Sequence, residues 1–327
     1  MADVARLAGV SHQTVSRVLH DNPNVSGETR ERVLAAIKQL NYRPNSMARA
    51  LVTGRTKTLG VISSDTTLYG PVSTLFGIER AAHDAGYAVV VASLRSVNRG
   101  LVLEAIQRLR DQAVDGVAVI APLRAGVDAL RRLMLDIPVV ALEAGQNASI
   151  PVASVDQRAG AASATRHLLS LGHKTVWHLA GPADFQDAEE RIVGWRSALE
   201  AAGAAVPPPL RGDWSPRSGY AAGEQLLETP NLTALFVGND QMALGVLRRF
   251  HEAGREVPRD LSLVGFDDIP EAAYLTPPLT TVRQDFAKLG KRCLELLLAH
   301  IEGGEQPKRS VVPPELVVRE STAAARG

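Results

Sequence analysis

The 327-residue sequence predicts a small all-α head of helix-turn-helix type, followed by an α/β core of two doubly wound parallel-sheet lobes. Three observations predict it. Residues 1–58 carry nine Lys/Arg against four Asp/Glu, a net of +5, whereas the remainder carries 27 against 31, a net of −4. The basic segment is helical in pattern, and from Leu59 short β-branched runs alternate with amphipathic helical stretches. The alternation repeats too often for one sheet, and a chain of this length holds two domains, or three if one is small.

The head reads element by element. Asp3 can cap a first helix, Val4–Ala8, with Val4, Leu7 and Ala8 inward, and Gly9 ends it. Ser11 caps a second helix to about His20, with Val15, Val18 and Leu19 on one face. Asp21–Val25 is a loop, and Ser26 starts a third helix, about Gly27–Leu40, with Val33, Ala36, Ile37 and Leu40 at helical spacing. Pro44 breaks the pattern, Asn45 can cap a short helix to about Leu51, and Thr53–Thr58 is a polar joint.

In the core, strands are expected at Leu59–Ser63, Ala88–Ala92, Gly116–Ile120, Pro138–Leu142, Val152–Val155, Thr175–Leu179, Ala234–Val237 and Ser262–Phe266. Helices are expected at Pro71–Ala85, Arg99–Gln112, Gly126–Leu135, Gln157–Leu171, Ala188–Ala202, Arg217–Glu228 and Gln241–Ala253. Pro207–Pro209 and Thr276–Leu279 read as connectors.

Composition excludes several classes. With 45% apolar and 22% charged residues the chain is neither disordered nor fibrous, and no run reaches the roughly 18 apolar residues of a membrane helix. Asp3 and Arg6 interrupt any secretory apolar core, so a cytoplasmic location is expected. Cys293 stands alone, which rules out an intramolecular disulfide or a cysteine-cluster metal site. No HExxH, GxSxG or phosphate-binding GxxxxGK[ST] occurs, so neither an enzyme nor a cofactor is expected.

Two helices joined by Ala8-Gly9-Val10-Ser11 form a helix-turn-helix whose second helix exposes His12, Gln13, Ser16 and Arg17. Side chains near the start of such a helix meet base edges in the major groove; Gln can bond adenine and Arg guanine bidentately. Ser11, Thr14 and Ser16 are short donors suited to phosphates. The plain alternative is a generic helical hairpin with a polar face.

Ligands of doubly wound sheets bind beyond the carboxyl ends of strands. The loops there run from Ser64-Asp65 to Tyr69-Gly70-Pro71, then Gly212-Asp213-Trp214-Ser215, Gly238-Asn239-Asp240-Gln241 and Gly265-Phe266-Asp267-Asp268. Arg191 to Trp195 opens a helix, and Val282 to Phe286 returns between lobes. Asp, Asn and Arg with one Trp at a cleft rim suit a sugar: planar polar groups take hydroxyls and an aromatic face takes the C–H side of the ring.

The runs Asp3-Val4-Ala5-Arg6-Leu7-Ala8-Gly9-Val10-Ser11, Thr14-Val15-Ser16-Arg17-Val18-Leu19 and Asn41-Tyr42-Arg43-Pro44-Asn45, continued through Ala48-Arg49-Ala50-Leu51 and Arg55-Thr56, resemble the head of the LacI/GalR family of bacterial repressors. The resemblance extends over essentially the whole chain. It implies a three-helix head, a hinge helix, a periplasmic-binding-protein-like core and a dimer on double-stranded operator DNA, controlled by a small-molecule effector. It places His12, Gln13 and Arg17 at base-reading positions and makes Leu51 a wedge into the minor groove, with small Ala48 and Arg49 beside it. A helix as short as Asn45–Leu51 is not stable alone in water, so it is expected to form on DNA.

For the effector, the resemblance points to Tyr69, Asp156, Arg191, Trp214, Asn239, Asp267, Gln284 and Phe286, and favours a galactoside or related sugar acting as inducer. Asp156 takes the commoner family position for an acid that the galactoside-binding pattern aligns with Ala159. Tyr69 stands where that pattern has His. The implied domains are the head, 1–44; hinge helix and linker, 45–58; one lobe, 59–171 plus 284–311; and the other, 172–283 plus 312–327. Helices near Pro71–Ala85, Leu101–Gln112 and Phe286–Leu298 are the dimer-face candidates, and the absence of leucine heptads after Val318 argues for a dimer rather than a tetramer. A corepressor-dependent regulator responding to a purine or a protein partner, and a sugar-binding protein that does not act on DNA, are the alternatives.

Overall fold

The computed structural model describes residues 1–19, 22–42, 54–63, 67–94, 99–120, 136–143, 150–304 and 307–326. Asn45, Ala48, Arg49 and Leu51, the loop residues Ser64 and Asp65, and the helix expected over Gly126–Leu135 lie outside the described residues. The chain divides into two compact units, Met1–Thr56 and Lys57–Gly327.

In the first unit, α1 (Ala2–Ala8), α2 (His12–Leu19) and α3 (Gly27–Gln39) enclose a core of Val4, Ala5, Ala8, Val15, Val18, Val33 and Ala36. Gly9 closes α1 at φ +64°, a conformation that favours glycine. The Ser11 hydroxyl accepts from the Thr14 N–H at 3.2 Å, and that of Ser26 from Thr29 at 3.4 Å, so each serine caps the helix that follows it. Two expectations change. Helix α1 starts two residues earlier, with Asp3 inside its first turn rather than capping it, where its charge complements the helix dipole. Leu7 is 46% exposed, because α3 packs against the Val4–Ala5–Ala8 stripe and leaves Leu7 on the flank.

The second unit contains two sheets. The first has order β11-β5-β4-β3-β1-β2, all parallel, from β1 (Thr58–Ser63), β2 (Ala88–Ser93), β3 (Gly116–Ile120), β4 (Val139–Leu142), β5 (Val152–Val155) and β11 (Arg309–Val312). Alternation along β3 sends Val117 and Val119 to α5 (Arg99–Asp111), and Ala118 and Ile120 to α4 (Tyr69–Asp84) and α10 (Phe286–Ile301). Helices α4 and α10 touch backbone to backbone: a Cβ on Gly77 would sit 2.2 Å from the Phe286 carbonyl oxygen, and one on Gly290 2.1 Å from the Gly77 carbonyl carbon. Cys293 is buried on this face, and burial pushes its thiol up to about 12.

The second sheet has order β12-β10-β9-β8-β6-β7, from β6 (Trp177–Ala180), β7 (Leu210–Arg211), β8 (Ala234–Val237), β9 (Ser262–Asp267), β10 (Thr280–Arg283) and the antiparallel β12 (Glu315–Val317). One face packs α8 (Pro216–Leu227) and α9 (Asp240–Glu252); the other packs α6 (Gln157–Ser170) and α7 (Gln186–Ala201). The chain therefore crosses between lobes after β5, after β10 and after β11. The first crossing falls at Asp156, not after residue 171 as the implied lobe division has it. Helix α6 turns Ala161, Ala164 and Leu168 toward Phe236 and Phe266 of the second sheet, so it belongs to the second lobe.

Among the described residues no helix is long and apolar enough to cross a membrane.

Candidate functional site

On the head, His12, Gln13 and Arg17 are exposed at the start of α2 and along one side of it, while Thr14 and Ser16 are half-buried. Val15 and Val18 anchor the opposite side in the core, which fixes the direction the polar side chains face. Ser11 is committed locally, since its hydroxyl caps α2 and also bonds the Thr14 hydroxyl at 2.9 Å.

The second candidate site is a cleft between the lobes, with about 560 Å³ of space between atoms when the part open to solvent is included. A closed ring of four side chains forms one wall. The Arg191 Nε donates to Gln157 Oε1 at 2.9 Å; Gln157 Nε2 donates to Gln284 Oε1 at 2.8 Å; Gln284 Nε2 donates to Asp267 Oδ1 at 2.7 Å. Asp267 Oδ1 then lies 3.8 Å from Arg191 Nη2. Arg191 also donates to the Gly238 carbonyl and lies flat on Phe266, its Cζ 3.8 Å from the ring centroid. Such a network orders each member through its neighbours.

The apolar wall is aromatic. Tyr69 and Phe286 meet edge to face at 5.8 Å, and Phe185 and Trp214 at 5.6 Å. Trp214 sits over Gly181, where a Cβ would fall 2.1 Å from its ring. Its indole N–H is buried without a partner among the described residues. Asn239 lines the cleft, but its side chain is engaged: it caps α9 through the Met242 N–H at 2.9 Å and donates to the Trp214 carbonyl at 3.0 Å. It positions Trp214.

Burial dominates the electrostatics. It pushes the Asp267 carboxyl up to about 6, against the opposing pull of Arg191 and the Gln284 bond. It pushes Asp187 up to about 7, again opposed by Arg191. Glu143 is raised well above the carboxylate range by burial and then by Asp187, although it accepts the Val155 N–H at 3.0 Å. Behind the ring, buried Asp240 is raised in the same way while accepting from Thr281 at 2.6 Å and from the Ile269 N–H at 2.9 Å. Four residues here hold positive φ: Glu143 at 55°, Trp214 at 72°, Asp267 at 113° and Asp268 at 53°. Side chains rarely accept such angles, and their concentration around one cleft is typical of a working site.

Of the residues named from sequence, Tyr69, Arg191, Trp214, Asn239, Asp267, Gln284 and Phe286 line this one cleft. Asp156 does not. Its carboxylate caps α6, accepting the Ala159 N–H at 2.9 Å, and it faces an adjoining opening. The neighbouring Gln157 reaches the ring instead. Arg191 lies in the second turn of α7 rather than at its start, one helical turn from Asp187, which puts both on the cleft side. Glu143, Asp187, Gln157 and Phe185 were missed. Glu143 immediately follows β4, and Phe185 and Asp187 end the loop after β6 and begin the helix that follows it, so the strand-end rule could have found all three.

An exposed polar helix face on a three-helix head, carried on one chain with a two-lobed ligand cleft, defines a DNA-binding regulator that senses a small molecule. The description "Bacterial regulatory proteins, lacI family" matches residues 1–45, and "Periplasmic binding protein-like domain" matches residues 165–322. The lactose operon repressor of Escherichia coli (strain K12) is 35% identical, over 98% of this chain and 90% of its own length. The HTH-type transcriptional repressor PurR of Haemophilus influenzae (strain PittEE) is 34% identical, over 98% and 97%. In structure, a lac repressor dimer bound to operator and the anti-inducer ONPF superposes with a TM-score of 0.88 at 34% identity over 98% of both chains. A complex of the transcriptional regulator CelR with cellobiose gives 0.73 at 33% identity, also over 98% of both. The chain belongs to the lacI family of bacterial regulatory proteins.

Proposed function

We propose that the chain is a cytoplasmic transcriptional repressor that binds a palindromic operator as a homodimer, and that a sugar in the inter-lobe cleft acts as its inducer. His12, Gln13 and Arg17 read bases. Thr14 and Ser16 hold the head on phosphates, while Ser11 caps the recognition helix. Asn45, Ala48, Arg49 and Leu51 contact the operator beside the head, with Leu51 wedged at a flexible base step, where the unstacking cost is offset by the added contact of bent DNA. Tyr69, Trp214 and Phe286 pack the sugar ring, and Arg191, Asp267 and Gln284 take its hydroxyls. No reaction is assigned to the chain.

The observation that carries this reading is the four-membered polar ring facing an aromatic wall, on a chain whose head exposes Gln13 and Arg17 side by side with His12. Relatives solved on operator and with cellobiose support it.

The test is fluorescence anisotropy with palindromic fragments from the chain's own promoter region, titrated with sugars and nucleobases. Preference over random duplex, a steep fall in affinity with salt, and release by a sugar are expected. A nucleobase that instead raises affinity identifies a corepressor, and equal binding to all duplexes refutes the regulator.

A further inference from the structure

The charged groups of the cleft do not balance. Among the described residues lining it, Arg191 is the one cation, and its fork is already occupied by Gln157, the Gly238 carbonyl and Asp267, with one flat face covered by Phe266. Two further carboxyls, Glu143 and Asp187, stand in the same wall. Glu143 follows β4 of the first lobe, and Asp187 begins α7 of the second, so they oppose each other across the junction. Both also line the adjoining opening, which makes them the partition between the two spaces. Arg158 lies in that opening but is held by Glu190.

Two carboxyls stand in one buried wall, and burial together with the repulsion of Asp187 on Glu143 works against ionising both. Arg191 and Asp267 cancel. With Arg191 the one cation against Glu143, Asp187 and Asp267, the described lining has no unpaired positive charge to offer an anion. Among its buried donors, the Trp214 indole N–H has no partner among the described residues.

Resting on the sugar reading above, we propose that the effector is an uncharged carbohydrate, a free sugar or glycoside, and that Glu143 and Asp187 exclude phosphorylated and acidic sugars from the cleft. Hydroxyl groups donate to Glu143, Asp187 and Asp267, and a ring or glycosidic oxygen accepts from Trp214. An anionic group entering here either meets like charge at close range or must displace Asp267 from Arg191. Like-charge juxtaposition of this kind costs several kcal/mol, which corresponds to discrimination of about 100-fold or more.

The test pairs uncharged sugars with their own anionic counterparts: galactose, glucose, ribose and cellobiose beside the corresponding sugar phosphates and sugar acids. Binding to the full chain is read by thermal shift and then by calorimetry. At least one uncharged sugar is expected to bind, with its anionic counterpart about 100-fold weaker. In Asp187→Asn the gap narrows by about tenfold, since one like charge is gone while the side chain keeps its shape. An anionic counterpart that binds wild type as tightly as its parent overturns the inference and leaves the sugar reading standing. A gap unchanged in a folded Asp187→Asn variant also overturns it. If no carbohydrate of either kind binds while a nucleobase does, the sugar reading itself fails.

Discussion

Asp187 is where the cleft works against the fold. Burial raises its carboxyl from 3.8 to about 7, and no hydrogen bond offsets that; Arg191 one helical turn away is the main opposing influence. Below about pH 4 the group is protonated in both folded and unfolded chains and carries no penalty. From about pH 4 to about pH 7 the unfolded chain releases the proton and the folded chain keeps it, so stability falls as pH rises; above about pH 7 the penalty is complete. A shift of this size on a fully enclosed carboxyl corresponds to roughly 4 kcal/mol. Asp187 keeps part of its surface open to the cleft, and solvent screening brings the expected figure to about 2 kcal/mol. Asp187→Asn, which preserves shape and removes the charge, should therefore stabilise the ligand-free protein by about 2 kcal/mol at about pH 8, or ~4 °C in melting temperature for a core of this size. The gain should shrink markedly at about pH 5. Thermal unfolding of both proteins across that range is the assay. A variant that is destabilised at the higher pH, or whose gain does not depend on pH, refutes the reasoning.

Other perturbations have equally definite outcomes. Gly77→Ala places a methyl group 2.2 Å from the Phe286 carbonyl oxygen and forces α4 and α10 apart, so denaturant unfolding should show a loss of about 2 kcal/mol. Trp214→Ala should weaken sugar binding about 30-fold or more, as loss of an aromatic anchor does, while operator affinity without sugar is unchanged in anisotropy titrations. Arg17→Ala should cost about 1–3 kcal/mol of operator affinity and relax preference at one base position, with a much smaller effect on random duplex. Leu51→Ala should likewise weaken operator binding more than random binding; equal losses in the two titrations would remove the wedge.

The alternation of strands and helices was legible because buried parallel strands are short β-branched runs. Gly116–Ile120 is read to the residue, and its alternate side chains serve opposite faces. Strand β10 was illegible for the opposite reason. Thr280 and Thr281 look like connector residues, yet both are fully buried. Their polar groups are answered by Ser321 and Asp240, 41 positions away in each case, and no local pattern reports such partners. The two-residue β7 is too short for any periodicity. In the head, spacing placed Val4 and Ala8 inward but took Leu7 instead of Ala5 as their companion; the approach of α3 buries Ala5 and leaves Leu7 exposed. In the cleft, loops after strands led to Trp214, Asn239 and Asp267. The adjacent pair Asp156 and Gln157 defeated residue-type reasoning: the acid looked like the ligand contact, but its side chain is the ideal length for capping α6, and the amide after it points into the ring. Glu143 and Asp187 acquire meaning only when the two lobes meet.

The ring also lies where the lobes are joined. Gln157 opens α6 just after the first crossing, and Gln284 precedes α10 at the second, while Arg191 and Asp267 belong to the body of the second lobe. The Gln157–Gln284 bond thus ties two crossing strands to each other, and the bonds to Arg191 and Asp267 tie both to that lobe. Glu143 adds the first lobe's side of the cleft, fixed by the Val155 N–H at the end of the strand that leads into the first crossing. A ligand that takes hydrogen bonds from this ring competes with bonds that tie the two crossings to the second lobe. A ligand shifts an equilibrium between two arrangements only by its difference in affinity for them. In the proposed reading, a sugar that contacts Glu143 on one side and Asp187 and Asp267 on the other bridges the two lobes, and a contact that depends on lobe separation is what a switch needs.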